Sequence, residues 1–219
     1  RITDVKPPDE PLPGEFRQVD AADGEQVLAA AEGMDAIINL SVLRQDRKLA
    51  FDVNTRGCFN LMEAAVAHGI RRVINTGPHF TMAGRFTYER FDYDIGPDIP
   101  PQPGTNLYAL SKSLGQEICR TYTEHHDIYV QMYLFYNFRD TGDVPPGSRH
   151  APFSISWENA AEVFSLGLEI PFEKLPSRCE VFNVFTDMPP GKFSNEKTKR
   201  VLGFRPRNDI APLWTQEKT

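Results

Sequence analysis

The sequence predicts an α/β fold: a doubly wound, mostly parallel sheet with a small C-terminal lobe. Two observations support this prediction. Short apolar runs rich in β-branched residues alternate with longer helical patterns, and such alternation implies parallel strands with helical crossovers on both faces of the sheet. The length of 219 residues also suits one large α/β domain with its own core.

The first half of the chain begins this alternation. Residues 15–20 are a short strand, and the helical stretch 26–31 ends at Gly33, since glycine favours the position after a helix. The run 35–40 is apolar and β-branched, as expected of a strand buried in a parallel sheet. Residues 47–68 are then predicted to form a long helix with apolar faces.

The middle of the chain adds two long loops. A strand at 71–76 is followed by a Pro- and aromatic-rich loop at 79–104 and a helix at 105–126. After a strand at 128–135, a Gly- and Pro-rich loop extends over 139–152. Loops this long are usually functional, and ligands of such sheets bind beyond the carboxyl ends of the strands. The two loops and the start of the 105–126 helix therefore predict one cleft.

The C-terminal part repeats the alternation with a helix at 159–168, a strand at 181–185 and a helix at 195–202. The net charge of −6, without a basic run, gives no indication of nucleic-acid binding. No segment resembles a transmembrane span, so no membrane partner is predicted. The five histidines show no metal-ligand spacing, and no metal site is predicted.

The three cysteines, Cys58, Cys119 and Cys179, lie far apart and form no Cys-x-x-Cys pair. They are predicted to be buried thiols in a reducing compartment, here the cytoplasm.

Tyr108 and Lys112 are the most informative pair of residues. Four residues apart on a helix, they share one face. A lysine ammonium beside a phenol favours the phenolate by charge attraction. The pair therefore predicts a tyrosine that acts as a general acid or base.

Six segments of the chain, taken together, resemble a known family. They are residues 16–23, 35–42 and 54–65, the Tyr108–Lys112 helix with Glu117, and residues 135–138 and 199–206. In this order they resemble the extended short-chain dehydrogenase/reductase family of NAD-dependent epimerase/dehydratase type. The resemblance implies a Rossmann-type core over residues 1–137 and a small substrate lobe over 138–219, interleaved with the last strands and helices of the core.

The same resemblance implies NAD as the cofactor. Asp4 favours NAD over NADP, although Lys6 nearby keeps NADP as an alternative. The residues that it implies for cofactor binding are Asp4, Asp20, Ala21, Leu40, Ser41, Val42, Asn54, Tyr108 and Lys112.

The implied activity is oxidation at a carbinol carbon of a sugar, sugar acid or nucleotide sugar, with Tyr108 as the acid or base. Lys112 is expected to lower the pKa of Tyr108 and to hold the nicotinamide ribose. The family places a hydroxyl after the preceding strand to orient the reacting oxygen. Here Thr76 and Thr81 both compete for this role, with Thr76 slightly favoured, while Gly77 or Pro78 occupies the usual position.

The expected substrate is small. Only a short tail follows Asn137, and Leu134 stands where many relatives have an arginine. A small lobe favours a free sugar or sugar acid, as in the uronate dehydrogenase branch of the family. The predicted substrate-binding residues are His79, Asn137, Arg139 and Arg149.

The glycine-rich pyrophosphate turn of the family is missing from this sequence. Residues 1–5 resemble the second strand of the family, so we expect roughly 30 further residues upstream, one strand–turn–helix unit.

The alternative to an enzyme is a non-catalytic dinucleotide-binding redox sensor or scaffold. The helices carrying Asn54 and Tyr108 are also expected to permit a homodimer.

Overall fold

The computed structural model describes residues 1–83, 96–147, 154–187, 193–207 and 210–213. The strands in this part of the chain are β1 (Ile2–Asp4), β2 (Phe16–Gln18), β3 (Ala36–Asn39), β4 (Arg72–Pro78), β5 (Tyr129–Phe135), β6 (Asn137–Arg139), β7 (Ser154–Ser156) and β8 (Cys179–Asn183).

The α-helices are α1 (Gly24–Ala31), α2 (Arg47–Phe51), α3 (Gly57–Ala67), α4 (Phe80–Ala83), α5 (Leu107–His125), α6 (Trp157–Glu169) and α7 (Glu196–Leu202). A π-helical segment, Asp52–Arg56, joins α2 to α3, and 3-10 turns lie at Thr141–Asp143, Phe172–Lys174 and Ala211–Leu213.

The central sheet has four parallel strands in the order β3-β4-β5-β8. β4 and β5 are paired along their whole length, from Arg72 with Tyr129 to Pro78 with Phe135. Since all four strands run in the same direction, their carboxyl ends meet at one edge of the sheet. The candidate site lies at this edge of the sheet.

Helices cover both faces of this sheet and bury two apolar clusters. One cluster joins α3 and α5 to the sheet through Met62, Val73 and Cys119. The other joins α6 to the opposite face through Tyr133, Val163 and Phe182. The predicted doubly wound α/β architecture is therefore confirmed. Cys58 and Cys119 are buried free thiols as predicted, whereas Cys179 is partly exposed.

β1 and β2 form a separate parallel pair, and β6 and β7 form another. Within the described residues no strand ladder connects β1 to β3. The strand–turn–helix unit expected upstream stays a prediction.

The predicted helix at 47–68 is interrupted by the π-helical segment. Asp46 caps the start of α2, because its carboxylate accepts a hydrogen bond from the backbone N–H of Leu49 at 2.8 Å. The wider turn at Asp52–Arg56 carries Asn54, which is buried and bonded to the backbone of Leu43. The buried hydrogen bonds of Asn54 thus coincide with a local change of helix type. The periodicity of the sequence does not reveal this change.

Candidate active site

The start of α5 lies at the carboxyl edge of the sheet. Asn106 caps this helix by accepting a hydrogen bond from the backbone N–H of Ala109 at 3.1 Å. Tyr108 and Lys112 follow on the same face, one turn apart, as the spacing predicts. Tyr108 is partly buried and Lys112 is buried, with 2% of its surface exposed.

Lys112 ties two strand ends together. Its Nζ donates to the backbone carbonyl of Ser41 at 2.6 Å and to that of Thr76 at 3.1 Å. Ser41 follows β3 and Thr76 lies near the end of β4, so three predicted site residues meet here. Burial lowers the pKa of Lys112, and the nearby Cys58 and Cys119 thiols oppose this shift.

Tyr108 has a different cation beside it. The guanidinium carbon of Arg44 lies 5.3 Å from the centroid of the Tyr108 ring, and the Phe80 ring meets it edge-on with centroids 6.5 Å apart. Burial raises the pKa of Tyr108, and Arg44 opposes that rise by charge and hydrogen bonding. Lys112, one turn away, is hydrogen-bonded to two backbone carbonyl groups, and its expected effect on the pKa of Tyr108 stays a prediction.

The two candidate hydroxyls are both hydrogen-bonded to the backbone. Thr76 Oγ1 donates to the carbonyl of Asn39 at 2.8 Å, and Thr81 Oγ1 donates to the carbonyl of Pro78 at 3.0 Å. Thr81 is 1% exposed, whereas Thr76 is only partly buried. Thr76 is therefore the better placed of the two to meet a ligand.

Gly77 cannot be given a side chain without moving its neighbour. A Cβ built there would overlap the side-chain amide nitrogen of Gln116 on α5. Gln116 is 7% exposed, and its Nε2 has no hydrogen-bond partner among the described residues. Sequence reasoning missed Gln116, although its position one turn after Lys112 on the same helix face is the signal that could have found it.

Glu117, included in the resemblance, lies away from this face. Its carboxylate forms an exposed ion pair with Arg120 on the same helix, and this pair lowers the pKa of Glu117. It therefore does not take part in the site, because residue 117 points roughly a third of a turn away from the face that carries Lys112 and Gln116.

His79 lies inside an aromatic cluster rather than in a cleft. Its side chain is 0% exposed, and its ring centroid lies 4.4 Å from that of Phe80, 5.0 Å from that of Tyr136 and 4.9 Å from that of Phe193. Burial lowers the pKa of His79 to about 3. The prediction that His79 contacts substrate does not agree with this packing, which leaves the ring no open face.

The predicted cofactor residues divide into three groups. Asp4 is exposed at the end of β1, and Asp20 is exposed two residues after β2. Leu40 and Val42, which flank Ser41, are 59% and 44% exposed. Ala21 and Asn54 have structural contacts here: the carbonyl of Ala21 accepts from Asn60 Nδ2 at 2.9 Å, and Asn54 is 1% exposed.

Asn54 links the loop after β3 to helix α5 by hydrogen bonds. Its Oδ1 accepts from the backbone N–H of Leu43 at 3.1 Å, and its Nδ2 donates to the Leu43 carbonyl at 2.7 Å and to Ser111 Oγ at 3.0 Å. These bonds occupy its amide, so the prediction that Asn54 itself binds cofactor does not agree with the structure.

The predicted substrate residues beyond β5 lie on a separate strand pair. Asn137 donates through Nδ2 to Ser154 Oγ at 3.3 Å, which joins β6 to β7. Arg139 is exposed at the end of β6. Arg149 lies outside the described residues.

The described ranges lack two further classes of site. No group of three His, Cys, Asp or Glu side chains there could hold a metal ion. Among the helices described, none is long and apolar enough to cross a membrane.

The parallel sheet with helices on both faces is a Rossmann-type fold. Residues 2–139 match the NAD dependent epimerase/dehydratase family. The chain belongs to this family, as the sequence resemblance implied.

Similar proteins include two sugar dehydrogenases. A uronate dehydrogenase from Agrobacterium fabrum is 34% identical over 107 residues, which cover 48% of this chain and 38% of that protein. An NAD-dependent glucose-6-phosphate dehydrogenase from Haloferax volcanii is 23% identical over 229 residues, covering 96% of this chain and 82% of that protein. The match with the first relative thus spans well under half of its length.

Solved structures share the fold. A uronate dehydrogenase from Agrobacterium tumefaciens superposes with a TM-score of 0.79 at 23% identity, covering 99% of this chain and 80% of that one. A glucuronic acid dehydrogenase from Chromohalobacter salexigens gives a TM-score of 0.81 at 21% identity, covering 97% of this chain and 76% of that one.

Proposed function

We propose that this protein is an NAD-dependent oxidoreductase that oxidises a carbinol carbon of a free sugar acid. One observation carries the proposal: the buried ammonium of Lys112 is fixed to the carbonyls of Ser41 and Thr76, one helical turn from the phenol of Tyr108. A buried lysine held at the carboxyl edge of a parallel sheet has little structural advantage over an apolar residue. A catalytic role would explain why a lysine is buried there.

The residues at this edge fit a dinucleotide. The exposed carboxylate of Asp4 suits ribose hydroxyl groups at one end, and the Lys112 ammonium suits the ribose hydroxyls at the other. The exposed Leu40 and Val42 offer apolar surface between them. NAD supplies the hydride acceptor when it is bound.

The side chains then divide the remaining work. Tyr108, in its charged form, accepts the proton of the substrate hydroxyl. Thr76 directs its own proton to the carbonyl of Asn39, so its oxygen is left to accept a hydrogen bond from a neighbouring substrate hydroxyl. The exposed Arg139 is available for the carboxylate of the substrate, and we place Arg149 in the same role.

The choice of a sugar acid rests on the relatives. The relatives named above are a uronate dehydrogenase and a sugar phosphate dehydrogenase, both of which act on anionic sugars.

The buried free thiols also support a reducing compartment, which we propose to be the cytoplasm.

The experiment is NAD binding by calorimetry on the full-length protein, followed by NADH absorbance with a panel of uronic acids, neutral sugars and glucose 6-phosphate. We expect NAD binding and turnover on a uronic acid. Turnover on glucose 6-phosphate alone would change the proposed substrate class from sugar acids to sugar phosphates. Binding without any turnover would support a non-catalytic dinucleotide-binding protein.

The second candidate is a non-catalytic dinucleotide-binding sensor or scaffold. One observation favours it: Thr76 and Thr81 both donate to backbone carbonyls, and Gly77, one of two candidates for the position where the family places its hydroxyl, packs against Gln116. Replacing Tyr108 by phenylalanine separates the candidates, since a sensor keeps its function without the phenol.

We also propose a homodimer through the outer faces of α3 and α5. Phe59 and Val66 on α3 are 46% and 37% exposed, and Leu114 on α5 is 42% exposed. Large apolar side chains on two adjacent helices are typical of a surface that another protein covers. The proposed helices are those that carry or adjoin Asn54 and Tyr108.

A further inference from the structure

We propose that Lys197 is a positioning residue for the candidate active site: it holds Asp98, and through Asp98 the segment 98–106 that leads into α5. This inference rests on the proposed function, because the position of the segment matters only where a substrate binds beside Tyr108. It gives the C-terminal helix α7 a part in a site whose other residues lie elsewhere in the fold.

Lys197 lies between two carboxylates. Its Nζ is 2.6 Å from Oε2 of Glu180 and 2.5 Å from Oδ1 of Asp98. The side chains of Lys197 and Glu180 are 9% and 6% exposed, whereas that of Asp98 is 70% exposed. The ammonium therefore joins a carboxylate inside the fold to a carboxylate at its surface.

The buried pair belongs to a well-supported part of the structure. Glu180 lies on β8 and Lys197 on the first turn of α7. The neighbouring Thr198 donates through Oγ1 to the carbonyl of Asn183 at 2.7 Å, and Nζ of Lys197 lies 5.4 Å from the centroid of the Phe182 ring. Helix α7 is thus bonded to the end of β8, and Lys197 extends from a fixed backbone.

Stability alone gives little reason for a lysine in this place. Removing an ammonium and a carboxylate from water is costly, and two apolar side chains of similar volume often hold such elements together equally well. What apolar side chains do not provide is a charged hydrogen bond to Asp98. Such a bond is stronger than one between neutral groups, so the buried lysine is explained by the carboxylate that it reaches.

The segment that begins at Asp98 is attached to the site at two further points. The backbone N–H of Gln102 donates to the carbonyl of Thr81 on α4 at 2.9 Å. Asn106 ends the segment and caps α5, and the first turn of α5 carries the phenol. Asp98 therefore links this segment, which borders the site, to the C-terminal helix.

A loosely held segment would have to become ordered each time a substrate binds, and this ordering costs conformational entropy. The bond from Lys197 to Asp98 lowers that cost in advance. Its loss should weaken substrate binding more than it slows the chemical step, because Tyr108 and Lys112 keep their places on α5. NAD binding should change little, since the proposed cofactor residues lie outside the segment.

The first test is amide hydrogen exchange on the full-length protein, followed at Gln102 by NMR. We expect Asp98→Asn to speed this exchange roughly 3–10-fold and Asp98→Glu to restore most of the protection, while amides within α5 keep their wild-type rates. Asp35→Asn is the matched control, since it removes an exposed carboxylate that precedes β3. An unchanged rate at Gln102 in Asp98→Asn would overturn the inference.

A second set of variants isolates Lys197. Lys197→Met alone would leave Glu180 buried and unpaired, so it is combined with Glu180→Gln. In this double variant the exchange at Gln102 should be as fast as in Asp98→Asn, and adding Asp98→Asn should change nothing further. A further acceleration on adding Asp98→Asn would show that Asp98 holds the segment without Lys197, and would contradict the proposal.

Kinetics supply the readout that a merely structural role would not move. Where a uronic acid is turned over, Asp98→Asn should raise its KM roughly 3–10-fold and leave kcat within about twofold, with the affinity for NAD unchanged. A fall in kcat at constant KM would speak against a positioning role. The exchange measurement needs neither NAD nor substrate, so an absence of turnover would count against the proposed function, and the rate at Gln102 would still decide this inference.

Discussion

Gln116 and Gly77 fit each other: the side-chain amide of Gln116 on α5 fills the space that a Cβ on Gly77 would need. Gln116 is buried, and its Nε2 has no partner among the described residues. The Gln116 side chain thus closes the space beside Gly77 near the end of β4.

Gly77→Ser should therefore lower the free energy of unfolding by about 1–3 kcal/mol, because the new side chain displaces a packed amide. Urea unfolding measures this cost. Gly142→Ser is the matched control, since a Cβ at Gly142 meets nothing within 4 Å. In a Gln116→Ala background the cost of Gly77→Ser should shrink, and an equal cost in both backgrounds would contradict the packing described.

Acid should destabilise the protein through His79. The ordinary pKa of histidine is 6.5, and burial lowers that of His79 to about 3. The unfolded chain therefore binds a proton that the folded chain excludes, and the stability is lost as the pH falls from 6.5 towards 3, by ~1.4 kcal/mol for each pH unit.

Unfolding free energies measured across this pH range, for wild type and for His79→Leu, test that expectation. The advantage of wild type over the variant should decrease by a few kcal/mol from pH 6.5 to pH 3. His125→Gln, at an exposed position, should leave the pH dependence unchanged. A parallel pH dependence in wild type and His79→Leu would show that His79 does not carry this effect.

Charges on the outer faces of α3 and α5 should separate a dimer. Phe59→Asp and Leu114→Asp place carboxylates on the proposed interface, and desolvation of an unpaired charge opposes association. Light scattering coupled to size exclusion should report the mass of a single chain for each variant and of two chains for wild type. Leu28→Asp, also exposed but on α1, should keep the wild-type mass.

The sequence was informative for the parts of the fold that depend on local periodicity. The strands around residues 36–39, 72–78 and 129–135 and helix α5 lie where their patterns predict. β6, β7 and α4 were not predicted, because each has only three or four residues and takes its conformation from tertiary pairing rather than from a pattern.

The site was predicted in part, for a similar reason. The spacing of Tyr108 and Lys112 on one helix face is a local property, and it is confirmed. The contact of Arg44 with Tyr108 and the overlap of Gln116 with Gly77 join residues 64 and 39 positions apart, so they depend on how the sheet and helices assemble. Local spacing also could not show that His79 and Asn54 are buried by long-range contacts.

The most direct test of the account is the Tyr108→Phe variant, assayed for NAD binding by calorimetry and for NADH formation with the best uronic acid. Removing the phenol oxygen removes the proton acceptor and leaves the ring contacts with Phe80 and Arg44 in place. The account predicts wild-type NAD affinity and a loss of turnover of about 10²–10⁴-fold. Turnover that survives in the variant would contradict the assignment of Tyr108 as the catalytic base.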